Sequence, residues 1–361
     1  MPLDSFLRQA DKKLGKGAVA KASDRTDLHI KRFSSGSFEL DVALGGGIPR
    51  GRVTLPYGPP SCGKTTGVIK TCVSAQNTCV LCDLPLFLCK HETPQRGRAL
   101  IVDHEGTFDI AWAETLGFDS DYHFVIRPSI GEQGIDTISV AVSEHAFDVI
   151  ILDSIESCMP SKEFERSAAE VDMGSKAKMM NRAFRKWTTI LAEGKGPALL
   201  TINQPRSSMA MYGPPDTLPG GSGQNFAASV KIRYKSSKVH QASGGKDVFV
   251  EMSGTVDKNK TGVPKREFNF GLSIRDHLLD AKDSDSFCWP AGEIDNVASL
   301  AKYAKRHGFL TSGGGKWKLT TIWDENPEEI KFKNRSEVYE LLHSDKEIQY
   351  YVWQTLLEKM R

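Results

Sequence analysis

Long apolar runs are missing from this 361-residue sequence. Its longest uninterrupted stretches hold only a few residues, far short of the roughly 20 that span a bilayer. The segment Met1 to Lys21 carries charge where a secretory signal would carry a hydrophobic core, so no export is expected. Cysteine is scarce and odd in number, seven in all, with no evenly spaced framework. That excludes a disulfide scaffold and points to a reducing, cytosolic compartment, where clustered cysteines more often bind metal than pair with each other. Neither sign of charge is in excess: 47 basic against 45 acidic residues leave a net +2, so any nucleic-acid site must be local. No internal repeat is visible. What is present, 39% hydrophobic and 25% charged residues, is the composition of a folded globular chain of about two domains.

Residues 1–30 predict a short amphipathic helix, with Phe6, Leu7, Ala10 and Leu14 at helical spacing and Gly15 and Gly17 as breakers. A helix this short is marginal alone and is expected to pack on something, such as another subunit. From about 31 to 275, strand-like runs alternate with helical patterns; Val53–Tyr57, Ala99–Val102, Val149–Leu152 and Ala198–Ile202 are the clearest strands. Continuous apolar runs indicate strands buried on both faces, as in a mostly parallel, twisted α/β sheet. Beyond about residue 276 the texture changes to short helices, with Trp289, Trp317, Trp323 and Trp353 among many charges, which predicts a small C-terminal domain over 276–361.

Gly58-Pro59-Pro60-Ser61-Cys62-Gly63-Lys64-Thr65 matches the phosphate-binding pattern G-x-x-x-x-G-K-[ST] in full, between a strand and a helical segment starting near Thr66. In such a loop, N–H groups wrap the phosphates at a helix N-terminus. Lys64 would neutralise phosphate charge and the Thr65 hydroxyl would ligate Mg²⁺. Phe147–Asp153 is an apolar strand ending in an acid, the usual place for a carboxylate that orients magnesium. Asp103-His104-Glu105 and Gln204 also end strands; they could face the γ-phosphate, although spacing alone favours ordinary strand-end polar residues.

The order of these residues resembles bacterial RecA and its phage relatives of the UvsX type, a family of homologous-recombination proteins. The resemblance runs from about Gln9 to residue 275. It takes in Gly15-Lys-Gly17, Ser35-Gly-Ser37, Leu40-Asp-Val-Ala-Leu-Gly45, the phosphate loop, Asp103-His-Glu105, Leu152-Asp-Ser154, Met173-Gly174, Met179-Met180, Asn203-Gln204 and Gly220-Gly221. It implies a RecA-like ATPase core over 31–275, flanked by an N-terminal polymerisation helix and a small C-terminal α/β domain. It also implies roles. Glu105 is the catalytic glutamate, and Gln204 couples the nucleotide to the DNA loops. Asp109 and Trp112 lie against adenine, with tryptophan where tyrosine is more familiar. Lys258 and Lys260, otherwise readable as a solvated basic turn, reach into a neighbour's ATP site.

Two DNA-binding loops are implied as well. One spans roughly Glu163 to Met173 and leads into a helix bearing Lys176, Lys178 and Arg185. Lys178 and Arg185, seven apart, share a helix face. The other runs from Pro205 to Gln224 with Arg206, Met209, Met211, Tyr212, Gly220 and Gly221, a composition suited to spacing bases apart.

The sequence departs from the family by an insertion at about 77–98, where Cys79, Cys82, Cys89 and His91 offer three thiolates and an imidazole. Either these four hold structural Zn²⁺, or Leu84–Leu88 packs as a hydrophobic hairpin with free thiols. The C-terminal region matches poorly and lacks the strongly acidic tail of some bacterial members. The expectation is an ATP- and Mg²⁺-dependent, DNA-stimulated ATPase of the bacterial or phage-infected cytosol. It would form a helical filament on single-stranded DNA, pair it with double-stranded DNA and exchange strands. A hexameric helicase built on the same core and a non-catalytic mediator are the rivals.

Overall fold

The strands of greatest apolar continuity form the centre of the molecule. In this computed structural model, residues 2–25, 29–165, 174–192, 196–207, 216–242, 245–279, 287–324 and 326–360 are described. Strands β1 (Arg52–Tyr57), β2 (Ala99–Asp103), β3 (Phe124–Ile126), β4 (Val149–Asp153), β5 (Ala198–Thr201), β6 (Ala228–Tyr234), β7 (Lys238–Gln241), β8 (Asp247–Asn259) and β9 (Glu267–Ser273) make one nine-stranded sheet. Its order is β7-β8-β6-β1-β5-β4-β2-β3, with β9 also paired to β8. The six strands from β6 to β3 run parallel, and β7, β8 and β9 add antiparallel pairings at one side.

Alternation along each central strand explains why its sequence is apolar throughout. In β4, Val149 and Ile151 belong to one core, whereas Ile150 and Leu152 belong to the other. Successive side chains leave a strand on opposite faces, so a sheet covered on both sides needs apolar residues at every position. One face packs on α3 (Lys64–Gln76) and α4 (Ile110–Thr115); the other packs on α5 (Gly131–Ser143) and α6 (Ser175–Leu191). Trp187 of α6 is fully buried and donates its indole N–H to Ser139 of α5 at 3.0 Å.

The N-terminal helix α1 (Pro2–Leu14) forms as the spacing predicts, burying Ala10 while Leu3, Phe6 and Leu14 stay exposed. The Ser35–Ser37 stretch serves α2 (Phe38–Leu44). The Ser37 hydroxyl caps that helix, and buried Asp41 accepts from the Ser34 and Ser35 hydroxyls and the Ser35 N–H. Burial pushes the Asp41 carboxyl up to about 6.

The C-terminal region combines α8 (Asn296–Arg306), the three-stranded antiparallel sheet β10 (Leu310–Gly313), β11 (Lys316–Thr320) and β12 (Glu329–Phe332), α9 (Arg335–Ser344) and α10 (Lys346–Met360). Its texture is therefore not simply short helices. Trp289 and Trp317 sit on strands, Trp323 lies in a turn, and Trp353 alone of the four is helical. In β11 and β12 charged residues alternate with apolar ones, as in strands covered on one side, but over runs of only four or five residues. Phe38 and Val42 of α2 join this region's apolar core, and Asn296 accepts from the Phe38 N–H and donates to Gly36 O. Among the described residues no helix is long and apolar enough to cross a membrane.

Candidate functional site

The loop Gly58–Thr65 turns from the C-terminal end of β1 into the first turn of α3. Gly63 caps α3 at φ 88°, and a Cβ there would lie 2.1 Å from Met252 Sδ on β8. Both conformation and space therefore exclude a side chain at this point. Buried Lys64 donates to the carbonyls of Pro59 (2.6 Å) and Gly58 (3.1 Å) and lies 3.6 Å from the buried Cys62 sulfur. Pro59 and Pro60 occupy the early part of the loop, leaving the N–H groups from Ser61 to Thr66 at the helix start.

Parallel pairing of β2 with β4 places Asp103 opposite Asp153. The chain then turns so that the N–H groups of His104 and Glu105 both reach Asp153 O. Asp103 is buried and holds that turn, accepting from the N–H groups of Gly106 (2.8 Å) and Phe108 (3.2 Å) and from Arg127 (3.1 Å). His104 tucks against Gly134 of α5. Of Asp103, His104 and Glu105, only Glu105 is exposed, and its Oε1 accepts from Gln204 Nε2 at 2.8 Å. Thr65 donates its hydroxyl to Asp153 Oδ2 at 2.8 Å. Residues 65, 105, 153 and 204 thus meet at the ends of four elements, although up to 139 positions separate them in sequence.

The electrostatics of this cluster suit a divalent cation. Burial pushes the Asp153 carboxyl up to about 7; the Thr65 bond pulls it down, and the Glu105 and Asp103 carboxylates beside it add to the rise. Asp153 Oδ1 is buried without a hydrogen-bond partner. A buried anion with an unsatisfied oxygen is costly, and Mg²⁺ beside the Thr65 hydroxyl would offset that cost. The residues present fit the ion.

Asp109 and Trp112 have a local structural task. The Asp109 carboxylate caps α4, accepting from the Trp112 N–H at 3.1 Å, and the Trp112 ring packs half-buried against the sheet core. Lys258 and Lys260 stand at the end of β8 and beyond it. Lys258 donates to Asn225 O (2.6 Å) and Lys260 to Phe226 O (3.3 Å), at the end of the short helix α7 (Gly223–Ala227). Burial, then the nearby Lys260 and Lys231 charges, lower the Lys258 pKa.

Of the residues expected in DNA-binding loops, Met209, Met211 and Tyr212 fall outside the described residues, as does most of the Glu163–Met173 segment. The bases of both loops are described, and they converge on Glu156. Lys176 Nζ donates to Glu156 O at 2.6 Å, and Arg206 pairs with the Glu156 carboxylate. Lys178 and Arg185 are both exposed on α6. Arg185 also lines a groove of about 690 Å³ between α6 and α7 that Lys260 shares. Gly220 and Gly221 adopt φ of 90° and 82°, packing the end of the second loop on Ile155 and α6.

One residue without an assigned role in the sequence joins these parts. Asn203 is fully buried; its Oδ1 accepts from the Gln204 N–H (2.9 Å), and its amide donates to Gln224 Oε1 (2.7 Å) and Pro219 O (2.9 Å). Gln224 in turn donates to the Pro219 and Gly221 carbonyls. The end of β5 and the base of the second loop are thereby one hydrogen-bonded unit. An asparagine at a strand end beside a glutamine was the available signal, but its partners lie about twenty residues away.

In the insertion, Cys79 Sγ, Cys82 Sγ, Cys89 Sγ and one His91 ring nitrogen all lie within 4.8 Å of one another. Burial raises the Cys79 thiol, but the N–H groups of Leu81, Cys82 and Gln95 and the Cys89 thiol outweigh it and bring it down to about 6.

Comparison with known proteins agrees with this geometry. A family model described as the RecA N-terminal domain matches residues 2–277. The chain is 33% identical over 328 residues to Protein RecA of Thermus thermophilus, covering 90% of each chain. It is 33% identical over 345 residues to Protein RecA of Rhodopirellula baltica, covering 92% of this chain and 84% of that one. It is 34% identical over 299 residues to Protein RecA of Streptomyces coelicolor, with coverage of 80% and 75%. With a matching family over most of its length, a mostly parallel α/β sheet and a complete phosphate loop, the chain belongs to the RecA family of recombinases, which serve DNA recombination and repair.

Proposed function

We propose that this recombinase is a DNA-stimulated ATPase that forms a helical filament on single-stranded DNA, pairs it with duplex DNA and exchanges strands in the cytosol. The observation that carries this reading is the Thr65–Asp153 and Gln204–Glu105 pairing at one end of the sheet. Thr65 and Asp153 would hold Mg²⁺, which when bound screens the β- and γ-phosphate charge. Residues Gly58 to Thr66 bind the phosphates, with the loop N–H groups and Lys64 as donors. Asp109 and Trp112 border the adenine; Trp112 offers a ring for stacking. Glu105 accepts the proton of the attacking water and is oriented by Gln204.

DNA stimulation follows from the second loop. Gln204 is fixed to Asn203, and Asn203 to Gln224 at the loop base, so a strand bound by Arg206, Met211, Tyr212, Gly220 and Gly221 biases the amide that holds Glu105. Lys176, Lys178 and Arg185 supply phosphate contacts from α6. Lys258 and Lys260 hydrogen-bond to backbone at α7 within their own chain, which leaves them at a surface from which to serve a neighbour's nucleotide. The exposed Leu3, Phe6 and Leu14 of α1 are the matching polymerisation face. In this reading the chain divides at about residues 30 and 275.

The test is hydrolysis with and without single-stranded DNA. Glu105→Gln is expected to keep ATP and DNA binding while losing roughly 10²-fold or more in turnover, the scale of removing a general base. Unchanged turnover would move the catalytic role to another residue. Electron microscopy of the wild type with DNA and a non-hydrolysable ATP analogue should show filaments; closed rings would favour the helicase.

A further inference from the structure

The insertion between α3 and β2 holds none of the residues assigned above to ATP or DNA, yet it concentrates three of the seven cysteines. None of residues 80–96 is buried, and Leu81 and Phe87 are about half exposed, at 49% and 54%. A hydrophobic hairpin would bury Leu84–Leu88 to hold its shape, but the 3-10 turn Leu86–Leu88 has no buried residue. Leu84, Leu86 and Leu88 are half-buried, so apolar burial and the ion pairs of Asp83 hold this segment only in part. A further cross-link would complete it.

Local backbone bonds converge the four side chains. Cys79 N donates to Leu84 O and Asp83 N to Cys79 O, closing a tight turn in which Asp83 has φ 61°. Val80 N donates to Gln95 O, which ties the start of the insertion to its end, and Cys89 N closes the 3-10 turn on Leu86 O. His91 N donates to Cys89 Sγ at 3.5 Å.

Three of the six separations lie close to a tetrahedron's edges, and all six fall within 4.8 Å. Zinc bonds of about 2.3 Å to sulfur and 2.1 Å to nitrogen imply edges of about 3.8 Å between sulfurs and 3.6 Å between sulfur and nitrogen. Cys82 Sγ and Cys89 Sγ are 3.7 Å apart, Cys79 Sγ and His91 Nδ1 3.6 Å, and Cys89 Sγ and His91 Nδ1 3.2 Å. The sulfurs are unbonded to each other, and all seven cysteines are free.

We propose that Cys79, Cys82, Cys89 and His91 form a closed structural site for one Zn²⁺. Four protein ligands leave no open position for a reacting water, so the ion is a cross-link and not a catalyst. Its mechanical target is the sheet. Asp83, inside the metal-bound turn, pairs with Lys31 (2.6 Å) and Arg50 (3.2 Å), and Arg50 also pairs with Asp148, which precedes β4. The other end of the insertion runs through Arg96 directly into β2, the strand that leads to Glu105. The ion thus stiffens the lead-in to two catalytic strands. This inference is independent of the ATPase assignment and stands or fails on metal content.

The direct measurement is elemental analysis of the full chain, without a histidine tag and prepared without added metal. About one zinc per chain is expected, released by a mercurial reagent that titrates the thiols. Cys82→Ser should lose the metal and melt at a lower temperature, whereas Cys288→Ser, at an exposed thiol elsewhere, should keep both. His91→Cys preserves a four-ligand set and should retain about one equivalent, which keeps the site testable even if the serine variant fails to fold. Removing zinc from the wild type should raise hydrogen exchange first across residues 77–98, with nucleotide binding at the phosphate loop retained. Less than about a tenth of an equivalent of zinc with freely titrating thiols at positions 79, 82 and 89 would overturn the proposal, as would iron in place of zinc. A disulfide between Cys82 and Cys89 found by mass spectrometry would overturn it too.

Discussion

The nucleotide cluster and the cysteine–histidine cluster are each built from four main side chains, but the chain assembles them in opposite ways. Thr65, Glu105, Asp153 and Gln204 come from four separate elements and meet only because β1, β5, β4 and β2 lie side by side in parallel. Cys79, Cys82, Cys89 and His91 come from one short segment and meet through its own turns. The first arrangement suits a site that must respond to distant events, because each group is attached to a different part of the fold. The second suits a fastener, which needs no tertiary partner to find its ligands. The contrast predicts that nucleotide-site variants propagate widely and insertion variants act locally.

The largest expected effect would extend the first site beyond one chain. Lys258→Ala should leave nucleotide binding by the monomer intact and lower DNA-stimulated hydrolysis by roughly 10³-fold, the scale of a charge supplied in trans. Mixing it with Lys64→Ala protein should restore activity at interfaces joining one subunit's phosphate loop to the other's lysine. Absence of rescue at every ratio, with co-assembly verified, would confine the site to a single chain.

A smaller effect is expected at the connection to the second loop. Asn203→Ala removes the bridge between Gln204 and Gln224, and it should reduce DNA stimulation roughly 10-fold, a coupling of about 1–2 kcal/mol. Basal ATP binding should hold. Leaving buried Gln224 without that partner should also cost on the order of 1–3 kcal/mol of stability, read by denaturant titration. If stability falls and DNA stimulation does not, Asn203 is a structural residue, and the tertiary site is less connected than the contrast requires.

The smallest effect on hydrolysis, none, belongs to a residue that sets the pH background on which both sets of variants are read. Burial pushes the Asp295 carboxyl, at the start of α8, up to about 7; the Gly271 N–H and Lys302 pull it down, and Glu39 adds to the rise. An acid whose folded-state pKa exceeds its unfolded value stabilises the fold while both states are protonated. That contribution is lost as pH rises from about 4 through about 7, at up to about 1.4 kcal/mol per pH unit. Asp295→Asn should lessen the slope of this part of the stability–pH curve, which Asp41 and Asp153 share, and leave zinc content and hydrolysis unchanged. A wild-type curve without that slope would show that Asp295 stays ionised.

Much of the nucleotide site is legible without coordinates because its chemistry constrains sequence locally. The phosphate loop needs glycine at Gly63 and a strand and helix on either side, and strands buried on both faces must be apolar at every position. Asp109 has a local task that this reading did not state, since the carboxylate that resemblance sets beside adenine also caps α4. The C-terminal tryptophans mislead for a related reason. The strands β11 and β12 do alternate charged and apolar residues, but over only four or five positions, a strand signal easily passed over among the charges around the tryptophans. Glu156 is silent altogether; nothing near it in sequence signals that Lys176 and Arg206 converge there.

What the sequence by itself determined is therefore local or periodic: the phosphate loop, the doubly buried strands, the amphipathic first helix and the cysteine–histidine spacing, each specified by residues within a turn or a strand of one another. Only the tertiary structure decided that Gln204 bonds Glu105, that Asn203 bridges β5 to the second loop, that Asp83 fastens the insertion to Arg50 and Asp148, and that α2 completes the C-terminal core. These contacts depend on sheet order and helix packing. Sheet order is chosen by burial summed over the whole chain, and no short stretch of sequence contains that sum.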